Sequence, residues 1–124
     1  MIFNRIFFLF PFILSSQVWN RISDFPGDKR DDGVAVVVNN KAFFGSGMNE
    51  GFGVTHDFYS LDLNFFSWNK IADLPAWTDR QYACAFSGNN CFYVFGGSGY
   101  GGTKNDLYKY DVNLNSWTAM VPKP

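Results

Sequence analysis

The chain has 124 residues, with 10 basic and 11 acidic side chains and a formal net charge of −1 at pH 7. Nothing in that near balance suggests nucleic-acid binding, which depends on a basic stripe. Aromatic residues make up 20% of the sequence, a content suited to filling the space between packed sheets.

Arg5 is the lone charge near the start of the chain, followed by Ile6-Phe7-Phe8-Leu9-Phe10-Pro11-Phe12-Ile13-Leu14 and the small residues Ser15 and Ser16. A basic start, a short apolar run and small residues predict a secretory signal peptide over residues 1–16, and so a secreted or periplasmic protein. At about nine residues the run is too short to cross ~30 Å of hydrocarbon as a helix, so no stable membrane span is expected.

Residues 17–30 read as an outer strand and a linker. Trp19-Asn20-Arg21-Ile22-Ser23-Asp24-Phe25-Pro26 matches Trp68-Asn69-Lys70-Ile71-Ala72-Asp73-Leu74-Pro75, but no three strands precede it. It is an orphan.

A first repeat follows over residues 31–80. The β-branched run Gly33–Val38 predicts an inner strand, and Asn39-Asn40 a two-residue turn, since Asn tolerates positive φ. Lys41–Ser46 returns, Met48–His56 is a Gly-rich loop, and Asp57–Leu63 and Ser67–Ile71 are the outer strands. A second repeat over residues 81–124 has its turn at Gly88-Asn89. Its aromatic strand Cys91–Phe95 stops at Gly96-Gly97, then Asp106–Asp111 and Ser116-Trp117 follow. Trp19, Trp68 and Trp117 stand 49 residues apart, as do Pro26, Pro75 and Pro124. Asp57 and Asp106, Tyr59 and Tyr108, and Gly47 and Gly96 keep the same step, so the copies align without a gap. Trp68 is expected to fill the space between the two sheets, and Trp117 to be the more exposed.

A period of about 50 residues built of short strands is a propeller signature. The series of aromatic strand, glycine pair, Asp-x-Tyr-x-x-Asp, Trp and Pro resembles the kelch repeat over about residues 18–124. The resemblance implies an all-β fold: a kelch-type β-propeller fragment of two four-stranded antiparallel blades plus one orphan outer strand. It makes Trp19, Trp68, Trp117, Tyr59, Tyr108, Gly96 and Gly97 structural, and shows the first repeat's glycine pair degraded to Gly47-Met48. Two blades do not close a ring. The chain is therefore expected to be the N-terminal part of a longer secreted protein, with the remaining blades as its partners. A ring assembled from short chains is the alternative.

Chemistry is sparse. In the register set by a Gly88-Asn89 turn, Cys84 faces Tyr93 and Cys91 faces Phe86, leaving the thiols diagonal and beyond usual disulfide reach. Both then act as small hydrophobes in place of Ala35 and Ala42, although an oxidising compartment keeps a disulfide open. His56 is the single histidine, too few ligands for zinc or copper, so no metal site is expected. It reads as a loop residue matching Asn105. Gly96–Lys104 has the composition of a phosphate loop, but lacks its Gly-Lys-Ser/Thr order and its helix. Asp62 and Asp111 read as turn formers. No catalytic set and no cofactor site stands out.

Strand alternation brings the loops before the inner strands to the rim that carries Met48–His56 and Ser98–Lys104. The kelch resemblance implies ligand binding there, drawing on Arg30, Asp31, Asn49, Glu50, His56, Arg80, Tyr100 and Lys104. The expected function is a non-catalytic secreted module that binds a protein or a carbohydrate. The alternative is a periplasmic enzyme on the same fold, resembling sialic acid epimerases.

Overall fold

The computed structural model describes residues 18–121. The expected signal peptide and Pro124 lie outside the described residues.

Twelve strands follow one another among the described residues: β1 (Arg30–Asp31), β2 (Val34–Val38), β3 (Lys41–Gly45), β4 (Met48–Asn49), β5 (Phe58–Asp62), β6 (Ser67–Lys70), β7 (Cys84–Gly88), β8 (Cys91–Phe95), β9 (Ser98–Gly99), β10 (Gly102–Thr103), β11 (Leu107–Asp111) and β12 (Ser116–Met120). Two four-stranded antiparallel sheets result, ordered β2-β3-β5-β6 and β7-β8-β11-β12. They are two consecutive blades. No helix occurs among the described residues, and so none that is long and apolar enough to cross a membrane.

Alternation decides what lies between the blades. Val34, Val36 and Val38 share one face of the first blade with Phe43 and Phe58. This face meets Ala85, Phe92, Val94, Tyr110 and Trp117 of the second blade in a single core. Phe43 and Phe92 ring centroids lie 4.9 Å apart, and Phe58 and Trp117 also 4.9 Å. Phe58, Phe92 and Val94 are wholly buried, each side chain contributing about 1.5–3 kcal/mol.

The tryptophan assignment is reversed. Trp117, not Trp68, fills the space between the two blades, where it also packs on Phe92 and Tyr110. An outer-strand Trp lies on the face that looks back along the chain, so each repeat's Trp serves the interface with what precedes it. Trp117 Nε1 donates to the Ala72 carbonyl at 2.8 Å. Trp68 Nε1 donates to the Ser23 carbonyl at 3.3 Å, and its ring packs edge-on against Phe25. Both bonds span 45 residues. Ser23–Phe25 thus occupies, against the first blade, the place that Ala72–Leu74 occupies against the second. Even so, residues 18–29 form no strand, because no neighbouring strand among the described residues pairs with them. Trp19 is not packed: it is 94% exposed.

The gapless alignment also needs correction. The second hairpin turns at Asn89-Asn90, pairing Gly88 with Cys91 and Cys84 with Phe95. The inner hairpins therefore stand 50 residues apart, while the outer strands keep 49. The loop from Pro75 to Arg80 is one residue longer than that from Pro26 to Arg30. The loop from Gly97 to Asp106 is one shorter than that from Gly47 to Asp57. The two changes cancel, which hides the shift in the spacing of Trp and Pro. One consequence concerns the glycine pair. Ser46-Gly47 is the counterpart of Gly96-Gly97, with φ of 53° and 98° against 64° and 91°. A Cβ on Gly47 or Gly97 would strike the backbone oxygen of Asp31 or Gln81, so glycine is required at that second place. A second consequence concerns the thiols. Cys84 and Cys91 match Val34 and Lys41 rather than two alanines. They lie four residue pairs apart along the hairpin, about 13 Å at a strand's rise per residue, and both are free.

Candidate functional site

Loops leave the sheets at two ends. Those joining the second to the third strand of each blade, and the one joining the blades, share one rim. Here β1 pairs with β4, Gln81 bridges Ser98, and β9 pairs with β10. The glycine-rich Ser98–Thr103 segment is thus an ordered hairpin. Asn49 Oδ1 closes the first-blade loop by accepting from Gly51 N–H and Gly53 N–H at 3.1 and 2.9 Å.

Beneath each loop lies the same ion pair. Arg80 grips Asp106 with two bonds of 2.7 and 3.0 Å and also donates to the carbonyls of Gly96 and Thr78. Arg30 grips Asp57 at 2.5 and 2.9 Å and donates to Thr55 and to the carbonyls of Ser46 and Asp28. Each guanidinium lies 5.3 Å from the centre of an aromatic ring, Phe25 for Arg30 and Tyr108 for Arg80. Burial acts to raise the Asp57 carboxyl, but the bonds and charge of Arg30 outweigh it and hold the group below its ordinary value of 3.8. The two arginines are therefore built into the loop bases. The Arg80 side chain is wholly buried and that of Arg30 only 2% exposed, so neither is open to a ligand.

The other six rim residues divide into groups. Asp31, Asn49 and Glu50 surround one open depression of about 440 Å³, with Lys29, Met48 and Phe52. Glu50 pairs with Lys29 at 3.2 Å on the surface. Tyr100 stands exposed at the tip of the second-blade hairpin, and Lys104 Nζ lies 3.5 Å from the Trp77 carbonyl. His56 is not a plain loop residue. Its Nδ1 meets Asp79 Oδ1 at 2.6 Å across the junction of the blades. This pair lines a second cleft of about 350 Å³, together with Asp28, Thr55, Lys70 and Asp73. Sequence reasoning missed Asp79 as the histidine's partner, since no pattern links a loop histidine to a carboxylate 23 residues on. It also passed over Phe52 and Trp77, which are 80% and 89% exposed. A signal existed for both: aromatic side chains in loops, outside every strand.

At the opposite end, Asp62 and Asp111 are the turn formers expected. Asp62 Oδ1 accepts from Asn64 and Phe65 N–H, and Asp111 Oδ1 from Asn113 and Leu114 N–H. In the second blade Asn115 Oδ1 accepts from both the Tyr110 hydroxyl and Ala72 N–H at 2.8 Å, tying the blades together at the core's edge.

Two antiparallel four-stranded sheets packed face to face, with a recurring Trp, Arg–Asp pair and aspartate turn, define two consecutive blades of the β-propeller type. Residues 79–124 match the Kelch motif. The solved structure of YjhT is similar to this chain at 26% identity and a TM-score of 0.67, over 81% of this chain and 29% of that one. No curated protein matches the chain in a sequence comparison. The chain thus carries a Kelch motif in its second repeat, and it spans about 29% of the length of the propeller structure that it matches.

Proposed function

We propose that the loop-bearing rim is a non-catalytic binding surface for a protein or a glycan, displayed by a secreted propeller whose export depends on residues 1–16. One observation carries this reading. Phe52, Trp77 and Tyr100, at 80%, 89% and 67% exposure, all rise from loops of the same rim, among polar neighbours. Phe52 and Trp77 do so from left-handed backbone, with φ of 58° and 69°. That conformation is costly for a bulky residue, and no burial of the ring offsets it. The buried Arg–Asp pairs supply a rigid base below, the arrangement in which loops on a fixed scaffold carry recognition.

The test is binding of the full-length protein to arrays of glycans and of immobilised proteins, against a Phe52→Ser/Trp77→Ser/Tyr100→Ser variant. Binding that disappears in the triple variant while its circular dichroism stays native is the expected result. Unchanged binding would remove the rim from the account. Turnover of a sialic acid by the full-length protein would replace the binding reading with the enzyme alternative.

A further inference from the structure

The two repeats act as each other's control. A residue that the blade requires recurs: Arg30 with Arg80, Asp57 with Asp106, Asp62 with Asp111. The cleft at the blade junction adds to the recurring Arg30 and Asp57 four residues that do not recur. His56 has Asn105 as its counterpart, Lys70 has Ala119, Asp28 has Thr78 and Asp79 has Lys29. The fold does not demand them, yet they come together around one cleft of about 350 Å³, a volume within the range of small-molecule sites.

We infer that this cleft binds an uncharged carbohydrate, held by hydrogen bonds to His56, Lys70 and Asp28; the inference rests on the rim reading above. The charges narrow the ligand. Four aspartates against Arg30 and Lys70 repel an anion. Three of those carboxylates are already engaged, Asp57 by Arg30, Asp73 by Lys70 at 3.2 Å and Asp79 by His56 at 2.6 Å. A cation would find little beyond Asp28. Donors such as Thr55 and Lys70 and acceptors such as Asp28 and Asp73 nevertheless both line the walls, and a hydroxyl is both donor and acceptor. His56 is 39% exposed while Asp79 is 18% exposed. Asp79 fixes the ring through Nδ1 and leaves Nε2 as the imidazole's remaining hydrogen-bonding atom, available to a sugar hydroxyl.

Saturation-transfer NMR and titration on the full chain test this with methyl glucoside, methyl galactoside and N-acetylglucosamine, and with glucuronate and glucosamine as charged counterparts. The neutral sugars should bind. Their affinity should fall about tenfold in His56→Ala and in Asp28→Asn, the loss of a ligand hydrogen bond, and stay unchanged in Asn105→Ala. Preference for a charged sugar, no binding by any of the five, or binding unaffected by both His56→Ala and Asp28→Asn would overturn the site. Sugar binding that survives those two changes but is lost in Trp77→Ser would overturn this cleft and leave the rim reading standing.

Discussion

The two blades have the same strand order and the same buried Arg–Asp pair, but they are packed very differently. The first is covered on both faces, by the second blade on one and by Phe25 on the other, where that ring meets Phe44, Tyr59 and Trp68. Among the described residues, the second is covered on one face only. Its other face shows Phe86 and Phe95, nearly half exposed, and a stacked Phe86–Tyr93 pair. The counterparts of Phe86 and Tyr93 in the first blade, Val36 and Phe43, lie in the shared core. Equivalent positions thus differ in burial because of what lies beside the sheet, not because of the strand that carries them. Each blade specifies its own hydrogen bonding, whereas its stability is shared with its neighbours.

The tryptophans offer the largest handle on that difference. Trp117→Ala should destabilise the protein by about 3–4 kcal/mol and Trp68→Ala by about 1–2 kcal/mol, measured by urea unfolding, since only Trp117 packs into the core of three rings. Equal losses would erase the asymmetry. The ion pairs should behave alike. Arg80→Ala and Arg30→Ala should each cost about 2–3 kcal/mol, below the full value of a broken buried pair because Asp106 and Asp57 keep some solvent. A loss confined to one blade would show that the recurring pair is not a shared device.

Acidity and alkalinity sharpen the comparison at smaller scale. Asp57 is held below 3.8 in the folded protein, so its contribution is complete above that value and is lost as pH falls through the folded pKa. Arg30→Met should flatten the acid limb of the stability profile. Tyr110, raised by burial and then by the Asp111 charge to about 12, contributes fully below 10. That contribution disappears as pH rises from 10 to about 12, and Tyr110→Phe should flatten the alkaline limb. The smallest effect is chemical. Cys84 is exposed and Cys91 buried, so a thiol reagent should label one site in the native protein and the second only on unfolding. Two unreactive thiols would restore the disulfide.

The sequence carried the blade and lost the details of packing for identifiable reasons. Strand alternation, the aspartate turns and the step between tryptophans are local or periodic, so Val34–Val38 and Asp57–Asp62 were legible. The hairpin register was not, because compensating one-residue changes in two loops left the Trp and Pro spacing intact, which matches Cys84 and Cys91 to Ala35 and Ala42 instead of Val34 and Lys41. Which face Trp117 covers depends on how one sheet stacks on the next, and no residue pattern within a repeat encodes it. At the rim, charge alone suggested that Arg30 and Arg80 were open. Their aspartate partners, 27 and 26 residues away, became visible only once the strands had brought them together.

Hydrogen exchange of the four indole N–H groups, followed by NMR on the folded chain, tests the blade-to-blade assignment most directly. Trp117, bonded to Ala72 inside the interface, should be the slowest to exchange. Trp68, bonded to Ser23 on the outer face, should be intermediate, with Trp19 and Trp77 exchanging fastest. A Trp68 indole better protected than that of Trp117 would contradict the account.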